Sequence, residues 1–177
     1  MPSNPLTPYL SNALPKYIDS INQKIALMAS FFSLLMLLNN ALVVFMRYGL
    51  AKGSIALQEM MIYQHAALLL LVAPWALQHN KHVAVDLVFN RLRPSQQAWV
   101  TRCGTVLFLW PFCGLVFALS LPYVVSSWTI LEQSSEAGGL AFVYLLKSLL
   151  LIFPVLLALQ GLSELIKTWH NPNKHDK

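Results

Sequence analysis

Apolar residues run almost unbroken through four stretches of this chain, near Ile25 to Met46, Leu57 to Leu77, Cys103 to Val125 and Ala141 to Leu162. Each is long enough to cross a bilayer, whose hydrocarbon core needs about 20 mostly apolar residues in a helix. Strands of a membrane barrel would alternate apolar and polar positions in pieces of about ten residues, and these runs do not. The pattern therefore predicts an all-α membrane protein with four transmembrane helices, forming one integral-membrane domain over residues 1–177.

Two shorter stretches have helical periodicity of a different kind. Leu14, Tyr17, Ile18, Ile21 and Ile25 recur on one face while Lys16, Asp19 and Lys24 lie elsewhere, so residues 14–24 are expected as an amphipathic helix in the headgroup plane. Val85, Val88, Phe89 and Leu92 repeat the pattern beside Arg91 and Arg93, which predicts a second interfacial helix over residues 83–93. Pro94 stops that helix, and Ser95 is placed to cap the next. Trp75, Trp99, Trp128 and Trp169 fall near span ends, where indole rings anchor a protein at the membrane interface. Trp110 lies deeper and is expected to pack.

Composition agrees with the pattern. The chain is 56% hydrophobic and 11% charged, whereas an ordinary soluble domain carries about 25% charged residues. Its formal charge of +5 is unevenly spread. Lys16 and Lys24, then Lys81, Arg91, Arg93 and Arg102, then Lys167, Lys174 and Lys177 flank the spans on what would be one side, while the third connection holds Glu132 and Glu136 and no basic residue. The excess of Lys and Arg on cytoplasmic segments then puts both termini in the cytoplasm, with Arg47 and Lys52 facing outward as the exception. The polar, proline-spotted start and the missing small-residue cleavage site read as a retained first span rather than a cleaved signal.

Few residues remain for chemistry. Asn39 and Asn40 lie in the first span, Gln58, Glu59, Gln64 and His65 in the second, and Lys147 in the fourth. An intramembrane charge costs roughly 2.5 to 3.5 kcal/mol on insertion scales, so each should face protein. Arg47 and Glu59 sit at the same outer level and are expected to pair, directly or through Gln58. The stretch ALQHNKHVAVD offers His79, His82 and Asp86 at ligand spacing, but a structural zinc site usually needs four ligands. Lys81, His82, Asp86, Arg91 and Arg93 read better as a basic, lipid-facing exit from the membrane, with Asp86 starting an interfacial helix. His65 is the one His inside a predicted span, which disfavours bis-histidine haem. Cys103 and Cys113 are separated by roughly 15 Å along a helix, beyond disulfide reach, and read as packing residues. No catalytic, cofactor or metal site is expected, and nucleic acid is not an expected partner.

The order of Asn40 to Arg47, then Gln58-Glu59 opening a span, then HNKHVAVDLVFNRL leaving it, resembles the small DctQ-like membrane subunit of tripartite ATP-independent periplasmic (TRAP) transporters. SSWTILEQSSEAGGLAFVYLLKSLLLIFPVLLALQGLSELIK is similar to the closing segment of that family, and the resemblance covers about Asn22 to Lys167. It implies a subunit of a bacterial inner-membrane importer in which a periplasmic receptor delivers an organic acid to a large and a small membrane subunit. The resemblance also implies that the sodium and substrate sites belong to the large, elevator-type subunit, and that the small one scaffolds it. Arg47, Gln58, Glu59 and Lys147 then become candidates for structural or subunit contacts, and lipids are further partners. The other readings are a membrane anchor of a redox complex, which would co-purify with haem, and a small transporter that works alone.

Overall fold

A computed structural model of the chain describes residues 7–79 and 94–170. Every regular element among them is a helix: α1 (Thr7–Gly49), α2 (Ile55–Gln78), α3 (Pro94–Gly104), a π-helical segment (Thr105–Leu109), α4 (Trp110–Thr129) and α5 (Val143–His170). The segments α3, π and α4 follow one another without a break, so among the described residues four helices are long and apolar enough to cross a membrane. Three of the four expected spans lie wholly inside them, and the fourth, expected from Ala141, begins as a helix at Val143.

The largest difference from expectation is at the start. Residues 14–24 do not form a separate interfacial helix, because α1 is one helix of 43 residues that runs through them into the first span. Ile18, Asn22, Ala26 and Ala29 are buried along one of its faces, while Leu14 and Tyr17 of the expected apolar stripe are exposed. Asp19 and Asn22 find partners sideways on α5, as described below. No Gly or Pro intervenes between Asp19 and Ile25 to turn the chain into the membrane plane. The second expected interfacial helix, 83–93, lies outside the described residues.

Helix α5 is the hub of the bundle. It packs on α1, on α2 and on every segment of the third helix, whereas α1 pairs chiefly with α2. Two glycines allow close approach. A Cβ at Gly161 would lie 2.5 Å from Leu109 Cδ2 and 3.2 Å from Thr105 Cγ2, so α5 meets the π segment where it has no side chain. In that segment the Trp110 amide donates to the Thr105 carbonyl, five residues back. This widened turn brings both Thr105 and Leu109 against the same glycine.

At the opposite end, the Asn39 amide donates to the Leu57 carbonyl at 2.8 Å. That bond pins the beginning of α2 beside Asn39, and α1 continues to Gly49, about 15 Å further at 1.5 Å per residue. Ala51, at φ 52°, turns the chain back, and the Lys52 amide reaches the Met46 carbonyl at 3.0 Å. Ser54 then caps α2, its hydroxyl accepting from the Leu57 amide.

Candidate functional site

The polar side chains of the bundle gather at its two ends. Where α1 begins and α5 finishes, the Asn22 side-chain amide donates to Gln160 Oε1 at 2.6 Å, and Gln160 Nε2 donates to Asp19 Oδ1 at 3.0 Å and to Glu164 Oε1 at 3.2 Å. The Ser163 hydroxyl donates to the same Asp19 oxygen at 2.8 Å. Lys167 bridges Asp19 and Glu164, at 2.7 Å from each carboxylate. Gln160, Ser163 and Asn22 are essentially excluded from solvent. Residues 160, 163, 164 and 167 occupy one face of α5, because side chains three and four apart are neighbours on a helix. This clasp holds α1 to α5.

The second cluster joins α2, α5 and the 130–142 connection. Helix α4 ends in a Schellman motif, with Leu131 at φ 45° and the Glu132 amide on the Ser127 carbonyl at 3.0 Å. That turn aims Glu132 at Lys147, with which it forms an ion pair. The Lys147 ammonium also lies 3.8 Å from the Tyr123 ring centroid. Glu59 reaches across from α2: its carboxylate accepts from the Ser134 hydroxyl and, at 2.7 Å, from the Leu140 amide. A Cβ at Gly139 would lie 2.8 Å from Glu59 Oε1 and overlap Ser134. Glycine at 139 is therefore a requirement of this contact.

The structure corrects the expected Arg47–Glu59 pair. Arg47 is exposed on the part of α1 that continues past Asn39, Gln58 is exposed, and the Glu59 carboxylate is taken up by the 130–142 connection. The physical reason is register: Asn39, not Arg47, stands beside the start of α2. Lys147 does meet protein, as its depth required, but its partner is an acid in the adjoining connection.

The anchors and the basic edge divide similarly. Trp99 and Trp169 are 66% and 69% exposed. The Trp128 indole donates to the Ser148 hydroxyl at 2.9 Å and meets Tyr144 edge-on, and Trp75 stacks against His79 with centroids 4.3 Å apart. Trp110, beside Gly161, is 39% exposed. Cys113 is buried and Cys103 half-buried, both as free thiols. Lys81, His82, Asp86, Arg91 and Arg93 lie outside the described residues. Among the described residues no three His, Cys, Asp or Glu side chains gather as they would around a metal ion. Sequence reasoning missed the clasp of Asn22 and Gln160, although the polar spacing 160, 163, 164, 167 at the end of an apolar run was its visible signal.

The family model described as tripartite ATP-independent periplasmic transporters, DctQ component, matches residues 36–171. The chain belongs to that family. No curated protein and no solved structure matches it. This DctQ component is a multi-pass membrane protein and a part of a transporter. The matched region contains the whole Glu59–Ser134–Lys147 cluster and the α5 side of the clasp, while Asp19 and Asn22 precede it.

Two expected outcomes concern the second cluster. Glu59→Ala removes the acceptor for the Ser134 hydroxyl and the Leu140 amide, so hydrogen exchange should rise sharply at Leu140 and across 131–141 while the middle of α5 keeps its protection. Unchanged exchange at Leu140 would show that Glu59 does not hold the connection. The second concerns pH. Lys147 beside Glu132 holds that carboxyl below its ordinary value of 4.5. A carboxylate with a lowered folded-state value contributes stability that is present above about pH 4.5 and is lost as pH falls through the depressed value. The thermal midpoint of the chain in detergent should therefore fall on acidification below about pH 4.5, and Glu132→Gln should flatten that limb. An identical acid limb in the variant would assign it to another group.

Proposed function

We propose that this chain is the small membrane subunit of a sodium-driven, receptor-dependent importer of an organic acid in the bacterial inner membrane. Its role is to widen and stiffen the fixed scaffold against which the large, elevator-type subunit moves. The large subunit carries the substrate and sodium sites, and a periplasmic binding protein delivers the substrate. Both termini of the small subunit face the cytoplasm.

One observation carries the scaffold reading. The two polar clusters are tied off internally, and between them α5 presents only the apolar run from Leu149 to Leu159, about 15 Å long at 1.5 Å per residue. A solute path along α5 would need polar groups at that depth. What the bundle offers instead is an internally cross-linked platform with broad apolar sides, including Leu27, Phe31, Leu34 and Leu38 on α1.

The test is purification of the tagged chain from its native membrane, followed by transport in liposomes. Equal amounts of a larger multi-span subunit, with organic-acid uptake that requires that subunit, the receptor and a sodium gradient, are expected. Co-purification of haem-bearing redox subunits, or uptake by this chain alone, would overturn the reading.

A further inference from the structure

Helix α2 packs on α1 and α5, and the third helix packs on α5. Between α2 and the third helix this arrangement leaves an apolar groove of about 530 Å³, lined by Leu77 of α2 and by Thr101, Gly104, Thr105, Phe108 and Phe112. From Thr101 to Phe112 it follows the third helix for about 16 Å, within the membrane-spanning stretch Trp99–Thr129. The space beside Gly104 is open, since a Cβ there would meet nothing within 4 Å.

One end of the groove is cationic and aromatic. Arg102, next to Thr101, donates to the Thr168 carbonyl at the end of α5, and its guanidinium carbon lies 5.1 Å from the Trp169 ring centroid. Those contacts fix the half-buried guanidinium beside the groove. Trp99 and Trp169 stand exposed at the same end.

We infer that this groove is the site of one anionic glycerophospholipid, with an acyl chain lying along Gly104, Phe108 and Phe112 and the phosphate at the Arg102 end. The chemistry matches at both ends. An apolar groove at bilayer depth excludes water and is filled by hydrocarbon, and the half-buried Arg102 beside it sets a fixed positive charge at one end. Phosphate oxygens are strong acceptors for guanidinium, indole rings settle at headgroup depth, and a chain of charge +5 favours anionic lipid. The lipid would wedge the third helix against α2, each of which packs on α5.

Gly104 makes the inference testable without damaging the fold, because Gly104→Leu grows into open space and replaces glycine with a better helix former. The protein, with whatever subunits accompany it, is extracted from its membrane, washed in detergent, and analysed for retained lipid by native mass spectrometry. The wild type should keep about one phospholipid per chain, enriched in anionic headgroups over the bulk membrane. Gly104→Leu should keep about tenfold less, with unchanged helical circular dichroism and unchanged subunit recovery. Arg102→Gln should keep lipid but lose the preference for anionic headgroups. Equal retention by wild type and Gly104→Leu would overturn the inference. So would a photoreactive residue at Phe108 that captures another protein in the groove in place of lipid.

Discussion

Gln160→Leu should lower the thermal midpoint of the purified chain by several degrees, the largest effect expected from a single polar side chain in this protein. The substitution removes the acceptor of the Asn22 amide and the donor to Asp19 and Glu164, and Asn22 is 2% exposed, so water cannot replace it. Leaving a buried group without a partner costs about 1 to 3 kcal/mol in soluble proteins, with measured hydrogen bonds inside membranes falling toward the lower part of that range. The double variant Asn22→Leu/Gln160→Leu is the sharper measurement. Replacing both partners by apolar side chains of similar size leaves no orphan, so the double variant should be more stable than Gln160→Leu alone. If the two substitutions simply add, the clasp is not what joins α1 to α5.

The neighbouring residue should give a different phenotype. Gly161→Val places a branched side chain where even a Cβ would lie 2.5 Å from Leu109 Cδ2 and 3.2 Å from Thr105 Cγ2. Leu109 can shift its end, but the second methyl group meets the side of the π segment. Overpacking of this kind costs about 1 to 3 kcal/mol, and the expected consequence is local: the third helix moves away from α5 while α1 and α2 keep their contacts. A cysteine pair across Gly161 and Thr105 is too disruptive a probe, so spin labels on exposed positions are preferable. Leu119 on α4 and Ile152 on α5 are exposed and suitable. The distance between them should lengthen in Gly161→Val, and a distance from Ile152 to Ile62 on α2, also exposed, should stay the same. Equal change in both would mean that the bundle responds as one body.

These adjacent positions explain why α5 is the hub. Position 160 faces α1 and contributes hydrogen bonds, and position 161 faces the third helix and contributes the absence of a side chain. In the lipid-facing environment, where apolar burial between helices gains little over contact with hydrocarbon, polar bonds and close packing at small residues are what hold helices together. The clasp and the Gly161 contact are one of each.

The chain's pattern by itself determined the number of spans, their approximate places and the expectation that Lys147 must meet protein. Those follow from hydropathy, because a backbone in hydrocarbon has to satisfy its own hydrogen bonds and an isolated charge there is costly. The order of its motifs also pointed to the family that the match over residues 36–171 shows. What the linear pattern could not decide was the relative height of the helices. Arg47 and Glu59 look level when each is counted from its own span end, but Asn39 on the Leu57 carbonyl sets the start of α2 well below the end of α1. Likewise, residues 14–24 carry the periodicity of an interfacial helix, but in the fold Asp19 and Asn22 meet Gln160, Ser163 and Lys167 of α5 and α1 runs on unbroken into the first span. An amphipathic face shows that a helix has a polar side. Whether that side meets headgroups, water or another helix is decided by tertiary packing, since all three satisfy the same hydrogen bonds.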